Sequence, residues 1–326
     1  MQDSVLEVRD LHTHFNTKEG VLKAVNGVNF TLKREEVLAI VGESGSGKTV
    51  TALSLLRLVP YPGEIIRGEI YLNGVDIMKM DDGRLRGMRG QDISMIFQDP
   101  ISGLNPVIPI GTQVEELLQA HTNMSKRDAR IKGLEILHSV GLPDPERIVS
   151  QYPFQLSGGM CQRVMIGIAM ALNPQVLIAD EPTSALDVTV QAQILQQIKQ
   201  MTQEQKTSVV LITHDMGVVA QMAQQVAVMY AGYVVEYGDV KDIFARPSHP
   251  YTWALMQALP RINEERETLH SIPGSPPDPI DLPDECPFIA RCIKALTVCR
   301  TSPMPALEQI GENHYVACYN PVLHEW

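Results

Sequence analysis

The chain has no run of about 18 uncharged apolar residues, which argues against a membrane-spanning helix. Its first residues, Met1-Gln2-Asp3-Ser4, hold neither a basic segment nor an apolar one, so no export signal is expected. A basic excess is also missing. The 27 Lys and Arg against 38 Asp and Glu leave a formal charge of −11, which speaks against a nucleic-acid partner. It does not exclude phosphate binding, which can rest on local dipoles and one lysine. Cysteine is scarce, at five in 326 residues, and Cys161 stands alone. The other four, Cys286, Cys292, Cys299 and Cys318, crowd into the C-terminal stretch. In a reducing compartment such a cluster points to metal rather than to disulfides. The length allows one large or two moderate domains, and 44% apolar residues suffice for a full core.

The most informative stretch is GESGSGKT, residues 42–49, which fits G-x-x-x-x-G-K-[ST]. The apolar run Val37-Leu38-Ala39-Ile40-Val41 precedes it and reads as a buried strand. A helix-compatible stretch, Val50 to Leu58, follows. Strand, glycine-rich turn and helix together make a phosphate site. Gly42, Gly45 and Gly47 let the backbone bend so that N–H groups point at anionic oxygens, with Glu43, Ser44 and Ser46 between them. The helix beginning near Lys48, Thr49 and Val50 adds its dipole. Lys48 is suited to the β- and γ-phosphates, and Thr49 to Mg²⁺. The plain alternative is a glycine-rich turn that binds nothing.

The rest of the chain builds a sheet around this loop. Residues 5–41 read as an antiparallel β region, its first strand ending at Phe15, which is either core or a platform for a base. Residues 65–72 form a strand before the turn Asn73-Gly74, and Ile93 to Phe97 a short strand ending at Gln98. A helical insertion, about 99–155, interrupts the α/β alternation. LSGGMCQR, 156–163, opens an apolar helix from Val164 to Leu172. Strand 176–179 runs into Asp180-Glu181, a helix spans 188 to about 204, and strand 208–213 ends at His214. Paired strands over 225–237 turn near Ala231-Gly232, and helices at 239–245 and after Pro250 close the domain. From 261 onward a proline-rich tail reads as irregular, with too little apolar surface for a large core of its own. The expected division is 1–260 and 261–326.

Polar residues thus close several strands at their carboxyl ends, the edge where parallel sheets bind ligands. Asp180 can hold Mg²⁺ opposite Thr49, with Gln98 reaching both metal and water. Glu181 can polarise an attacking water, and His214 can contact a γ-phosphate. Singly, each has a bland reading: a solvated loop carboxylate or a satisfied histidine. Ser157-Gly158-Gly159, with Met160 after them, resembles a second phosphate cradle or a simple helix cap. Since Lys48 already serves one nucleotide, the second cradle suits a nucleotide held by another chain.

These motifs and their order resemble the ATP-binding-cassette ATPases. GESGSGKT is similar to the Walker A motif, Gln98 in IFQDP to the Q-loop and LSGGM to the family signature. VLIADEP is similar to Walker B with its catalytic glutamate, SALD (184–187) to the D-loop and His214 to the switch histidine. The resemblance implies an α/β P-loop NTPase fold: a RecA-like core sheet, an antiparallel β region and a helical insertion. It implies ATP and Mg²⁺, catalysis by Glu181, His214 and Gln98, and two cassettes paired head to tail with ATP between one Walker A and the other's signature. Phe15 then falls where the family stacks adenine, with Val21 and Leu22 as neighbouring candidates. IFQDPISGLNP, YPFQLSGGMCQRVMI, DEPTSALDVTVQAQIL, HPYTWAL and SIPGSPPDP narrow the resemblance to the dipeptide/oligopeptide importer ATPases, a group that also includes nickel and glutathione importers. That group implies a peripheral protein on the cytoplasmic face of the cell membrane. Its partners are a second, related cassette chain, two membrane-spanning subunits that dock on the helical insertion and, indirectly, an extracytoplasmic binding protein. Where relatives carry LSGGMRQR, this chain has Cys161, which reads as a tolerated change or a weakened contact across the dimer.

The tail cysteines follow C-x5-C-x6-C-x18-C. Spacing alone leaves zinc and iron–sulfur nearly even, and the resemblance favours a [4Fe–4S] cluster. A soluble, non-transport ATPase of the same class is the competing function; its usual coiled-coil insertions or second cassette are not found in this sequence.

Overall fold

The computed structural model describes residues 4–184, 186–259, 272–280 and 282–322. Ala185 of the SALD segment and Ser271 of SIPGSPPDP lie outside them. In chain order the elements are β1 (Ser4–Thr17), β2 (Gly20–Lys33), β3 (Val37–Val41), α1 (Lys48–Leu55), β4 (Gly63–Leu72), β5 (Val75–Asp76), α2 (Asp82–Met88) and β6 (Ile93–Ile96). Then come α3 (Ile110–His121), α4 (Lys126–Ser139), α5 (Pro145–Ile148), α6 (Gly158–Met170), β7 (Val176–Asp180), α7 (Val188–Gln205), β8 (Ser208–Ile212) and α8 (Met216–Met222). The chain closes with β9 (Gln225–Tyr230), β10 (Tyr233–Asp239), α9 (Val240–Ala245), α10 (Pro250–Gln257), α11 (Thr297–Thr301), β11 (Glu308–Gly311) and β12 (His314–Val316). Two compact units result: 1–5, 32–36 and 79–212 form one, and 6–31, 37–78 and 213–326 the other.

In the first unit β6, β7 and β8 run parallel, with Ile93 opposite Val176 and Val176 opposite Ser208. Every residue of the three strands is buried, as mostly apolar strands covered on both faces require. Helices α3 to α5 make the insertion. Ser125 caps α4 through the Asp128 N–H, and Asp187 caps α7 through the N–H groups of Thr189 and Val190. Helix α6 begins six residues before the apolar run that announced it, because Ser157 accepts a hydrogen bond from the Met160 N–H and so caps the helix at Gly158.

In the second unit β1 pairs antiparallel with β4, in a sheet ordered β2-β1-β4-β5. Strand β3, at the end of the stretch read as antiparallel, instead pairs parallel to β9. Its unbroken apolar run belongs to a strand covered on both faces, not to an alternating one. A tight hairpin joins β9 to β10, with Tyr230 opposite Tyr233 and positive φ at both Ala231 (44°) and Gly232 (88°).

The tail departs from the irregular segment expected. Strand β12 pairs antiparallel with β10, Glu236 opposite Val316, and β11 pairs with β12. Phe288 is 2% exposed within a core that includes Val41, Met216, Val228, Tyr230 and Tyr251. Its ring meets Tyr230 edge-on at 5.2 Å and Tyr251 at 5.4 Å. The tail therefore shares a core with the strands instead of needing one of its own. Phe288→Ala is expected to destabilise this unit by about 3–5 kcal/mol, the usual cost of emptying an aromatic site. Chemical unfolding followed by tyrosine fluorescence would check this, and an unchanged midpoint would mean the tail is not docked through Phe288.

Candidate functional site

Residues 42–49 join β3 to α1 in a loop pressed against neighbouring backbone. Gly42 has φ 154°, and a Cβ there would stand 2.1 Å from the Met229 carbonyl oxygen. Gly47 has φ 100°, and a Cβ would stand 2.2 Å from the Ala24 oxygen. No other residue fits either place. The Gly232 N–H donates to the Ser46 oxygen at 3.0 Å, pinning the loop to the β9–β10 hairpin. Lys48 is buried; its Nζ donates to the Gly42 and Glu43 oxygens at 2.9 Å each and to Ser46 Oγ at 3.3 Å. An ammonium held by carbonyl oxygens can exchange one of them for a phosphate oxygen at little cost. Ser44, Gly45 and Thr49 are exposed, and Val50 is half-buried. Phe15 is half-buried on β1 opposite Gly63. His214, two residues beyond β8, is exposed.

In the other unit, the carboxyl ends of β6 and β7 bring Gln98 and Glu181 together: Gln98 Nε2 donates to Glu181 Oε2 at 3.0 Å. Ser184 Oγ donates to the Gln98 carbonyl at 3.2 Å. Glu181 sits at φ 44°, and its N–H donates to the Ile212 oxygen at 2.8 Å. A non-glycine residue in that region is strained, and such strain is common where a side chain must be aimed. Asp180, the last residue of β7, is buried opposite Ile212. Ser157 and Gly158 are exposed at the start of α6, with open space around Gly158, while Gly159 approaches Val190. Cys161 is fully buried, and its Sγ donates to the Pro153 oxygen at 3.4 Å. Its side chain therefore packs inside its own unit.

Several residues that sequence reasoning passed over join the tail to the loop. Arg291, just before Cys292, grips the Glu43 carboxylate through both terminal nitrogens, at 2.7 and 3.1 Å. The Glu43 N–H donates to the Tyr251 hydroxyl at 2.9 Å. The His249-Pro250-Tyr251 segment starts α10: His249 Nδ1 accepts from the Tyr251 N–H at 3.1 Å, and Pro250 takes the first helical position. Beneath it, the buried Glu236 carboxylate accepts the N–H groups of Ser248 and His249 and bonds His314 Nε2 at 2.7 Å. No sequence motif announces Arg291 or Glu236. The HPYTWAL run was the available signal, and its physical meaning is this junction.

Cys286, Cys292, Cys299 and Cys318 line one cavity of about 20 Å³. Backbone N–H groups of Leu296 and Asn320 donate to the sulfurs of Cys299 and Cys318, both at 3.4 Å. Burial, with some repulsion from neighbouring sulfurs, pushes the Cys286 thiol up to about 12 and the Cys318 thiol up to about 11. Binding a metal there would release protons. Among the described residues, however, no group of three or more His, Cys, Asp or Glu is arranged to hold a metal ion. No helix among them is long and apolar enough to cross a membrane.

The fold and the loop define an ATPase of the ATP-binding-cassette class. A family model described as ABC transporter matches residues 25–184, and one described as oligopeptide/dipeptide transporter, C-terminal region, matches 235–299. The dipeptide transport ATP-binding protein DppD of Bacillus subtilis (strain 168) is 48% identical over 319 residues, spanning 97% of this chain and 95% of that one. The oligopeptide transport ATP-binding protein OppD of Escherichia coli (strain K12) is 45% identical, spanning 98% and 94%. Among solved structures, the ATP-binding cassette MJ0796, a dimer in a post-hydrolysis state bound to ADP and Pi, superposes with a TM-score of 0.65 at 30% identity. It covers 72% of this chain and 98% of its own. The chain belongs to the ABC transporter family, in its group of dipeptide and oligopeptide transport ATP-binding proteins.

The junction beneath the loop carries an acid sensitivity. Burial lowers the His249 pKa from 6.5 to about 4, against the pull of the Glu236 charge. The unfolded chain therefore binds this proton more readily than the folded one. The stability that a neutral His249 contributes is complete above pH 6.5 and drains away as the pH falls toward 4, by about 3 kcal/mol in all. Unfolding midpoints measured between pH 7 and 4 are expected to show this loss, and His249→Gln to lose that part of the acid dependence. The same pH dependence in both proteins would contradict it.

Proposed function

We propose that this chain is the ATP-hydrolysing subunit of an importer that takes up dipeptides or oligopeptides through separate membrane subunits. Nickel or glutathione import by the same machinery is the alternative cargo. The observation that carries the reading is the 42–49 loop, whose backbone path only glycine permits and whose lysine is held at its mouth. In this proposal residues 1–260 form the cassette and 261–326 its extension. Gly42 to Val50 cradle the phosphates, Thr49, Asp180 and Gln98 serve Mg²⁺, and Phe15 stacks on adenine. Glu181 polarises the attacking water, with Gln98 holding its carboxylate and His214 contacting the γ-phosphate. Ser157, Gly158, Gly159 and Met160 act on the nucleotide of a partner cassette, a related chain. The exposure of Ser157 and Gly158 supports that reading.

The membrane subunits would dock on the helical insertion, which places the chain on the cytoplasmic face of the membrane as a peripheral subunit. Support comes from exposed large apolar side chains at Ile101, Val107 and Phe154. Leu104, between them, is buried and packs inside its own unit. A binding protein outside the cell delivers substrate to those subunits.

Glu181→Gln is expected to keep ATP binding and slow turnover by roughly 10²-fold or more. Lys48→Ala is expected to weaken binding instead. Hydrolysis by Glu181→Gln at the parental rate would remove Glu181 from the role.

We propose further that Cys286, Cys292, Cys299 and Cys318 hold a [4Fe–4S] cluster, with zinc as the alternative. The four thiols facing one cavity and the N–H groups on two of the sulfurs support this donor set. When bound, the cluster supplies structural cross-links between the segments of the tail. Anaerobically purified protein is expected to be brown, with iron and acid-labile sulfide in equal amounts, and the four-serine variant colourless. A colourless preparation containing zinc would favour the alternative metal.

A further inference from the structure

Arg291 has a place in the nucleotide site that its position in the tail hides. The guanidinium has five N–H groups, and this chain's own atoms take all of them. Nε donates to the Pro273 oxygen at 2.9 Å. One terminal nitrogen donates to Glu43 Oε2 at 2.7 Å and to the Tyr230 hydroxyl at 3.2 Å. The other donates to Glu43 Oε1 at 3.1 Å and to the Ile272 oxygen at 3.5 Å. None remains for a phosphate, so Arg291 cannot act on a nucleotide directly. Its effect must pass through Glu43.

Glu43 is poorly suited to its surroundings without that partner. It is the second residue of a loop that receives a triphosphate, and a bare carboxylate there repels the ligand. Its backbone oxygen also accepts the Lys48 ammonium at 2.9 Å and the Ser46 N–H at 3.2 Å. Whatever fixes Glu43 therefore fixes the acceptor that holds the lysine. The Arg291 side chain is only 5% exposed, and that of Glu43 25%, so water screens the pair little. Arg291 closes the turn Ile289–Arg291 inside the C-x5-C spacing, and its own N–H donates to the Phe288 oxygen at 3.0 Å. The segment that carries the first two cysteines is thus the one that presents the guanidinium.

We propose that Arg291 is a positioning residue for ATP: it neutralises the Glu43 carboxylate and holds the loop in the shape that presents Lys48. The inference rests on the reading that loop 42–49 binds ATP. It puts the affinity of that loop under the control of the folded tail.

Calorimetric titration of the purified full chain with MgATP tests it. Arg291→Ala is expected to raise Kd about tenfold, as the loss of a shielded, bidentate pair implies. Adding Glu43→Gln to it removes the unpaired carboxylate and is expected to recover most of that loss. Arg291→Lys, which keeps the charge, is expected to bind more tightly than Arg291→Ala. Should Arg291→Ala fail to fold, Arg291→Met keeps the packing of the stem and carries the same comparison. The rescue by Glu43→Gln distinguishes this role from a merely structural one, since a second substitution in a loosened tail would not restore affinity. An unchanged Kd in a folded Arg291 variant, or no recovery on adding Glu43→Gln, would overturn the proposal. Failure of the parent chain to bind MgATP at all would instead overturn the reading of the loop.

Discussion

Everything proposed for the nucleotide site depends on two places where backbone meets backbone with no room for a side chain. At Gly42 the loop lies on the Met229 carbonyl of β9, and at Gly47 on the Ala24 carbonyl of β2. These contacts turn the chain sharply between β3 and α1. The Lys48 ammonium donates to the loop's own oxygens. A loop held this way is preorganised, so little ordering must be paid for when an anion arrives.

The second constraint lies beneath the first. Glu236 is a buried carboxylate whose cost is offset by two backbone N–H groups and His314. Those bonds fix the start of α10, and Tyr251 on that helix reaches the loop through the Glu43 N–H. Arg291 reaches the same residue through its carboxylate. Tyr230, Tyr251 and Phe288 fill the space between. The described part of the tail, the HPY segment and the phosphate loop are thus joined by packing and hydrogen bonds within one unit.

What the sequence made legible followed from strong local rules. Buried parallel strands read as nearly unbroken apolar runs, as at residues 176–179 of β7 and 209–212 of β8. The hairpin turn showed as Ala231-Gly232, and the phosphate loop as three glycines and a lysine. Polar residues at strand ends pointed to Gln98 and Glu181, which the structure brings within hydrogen-bond reach. What stayed hidden depended on contacts between distant segments. The pairing of β12 with β10 spans nearly eighty positions, and the composition of the tail, rich in proline, argued against any strand. Phe288 gains a core only because β9 and α10 supply it. Arg291 and Glu43 are ordinary charged residues until folding sets them face to face. Cys161 gives no sign from its place in the signature that its side chain packs inside its own unit, against the Pro153 oxygen.

The central claim is that the backbone path of residues 42–49 creates the ATP site. Equilibrium binding of MgATP to the purified chain carrying Gly47→Ala tests it most directly. The new methyl would stand 2.2 Å from the Ala24 oxygen, in a backbone conformation that alanine resists. The account expects one MgATP bound per parent chain and no measurable binding by the folded variant. A folded Gly47→Ala chain that bound MgATP as tightly as the parent would contradict it.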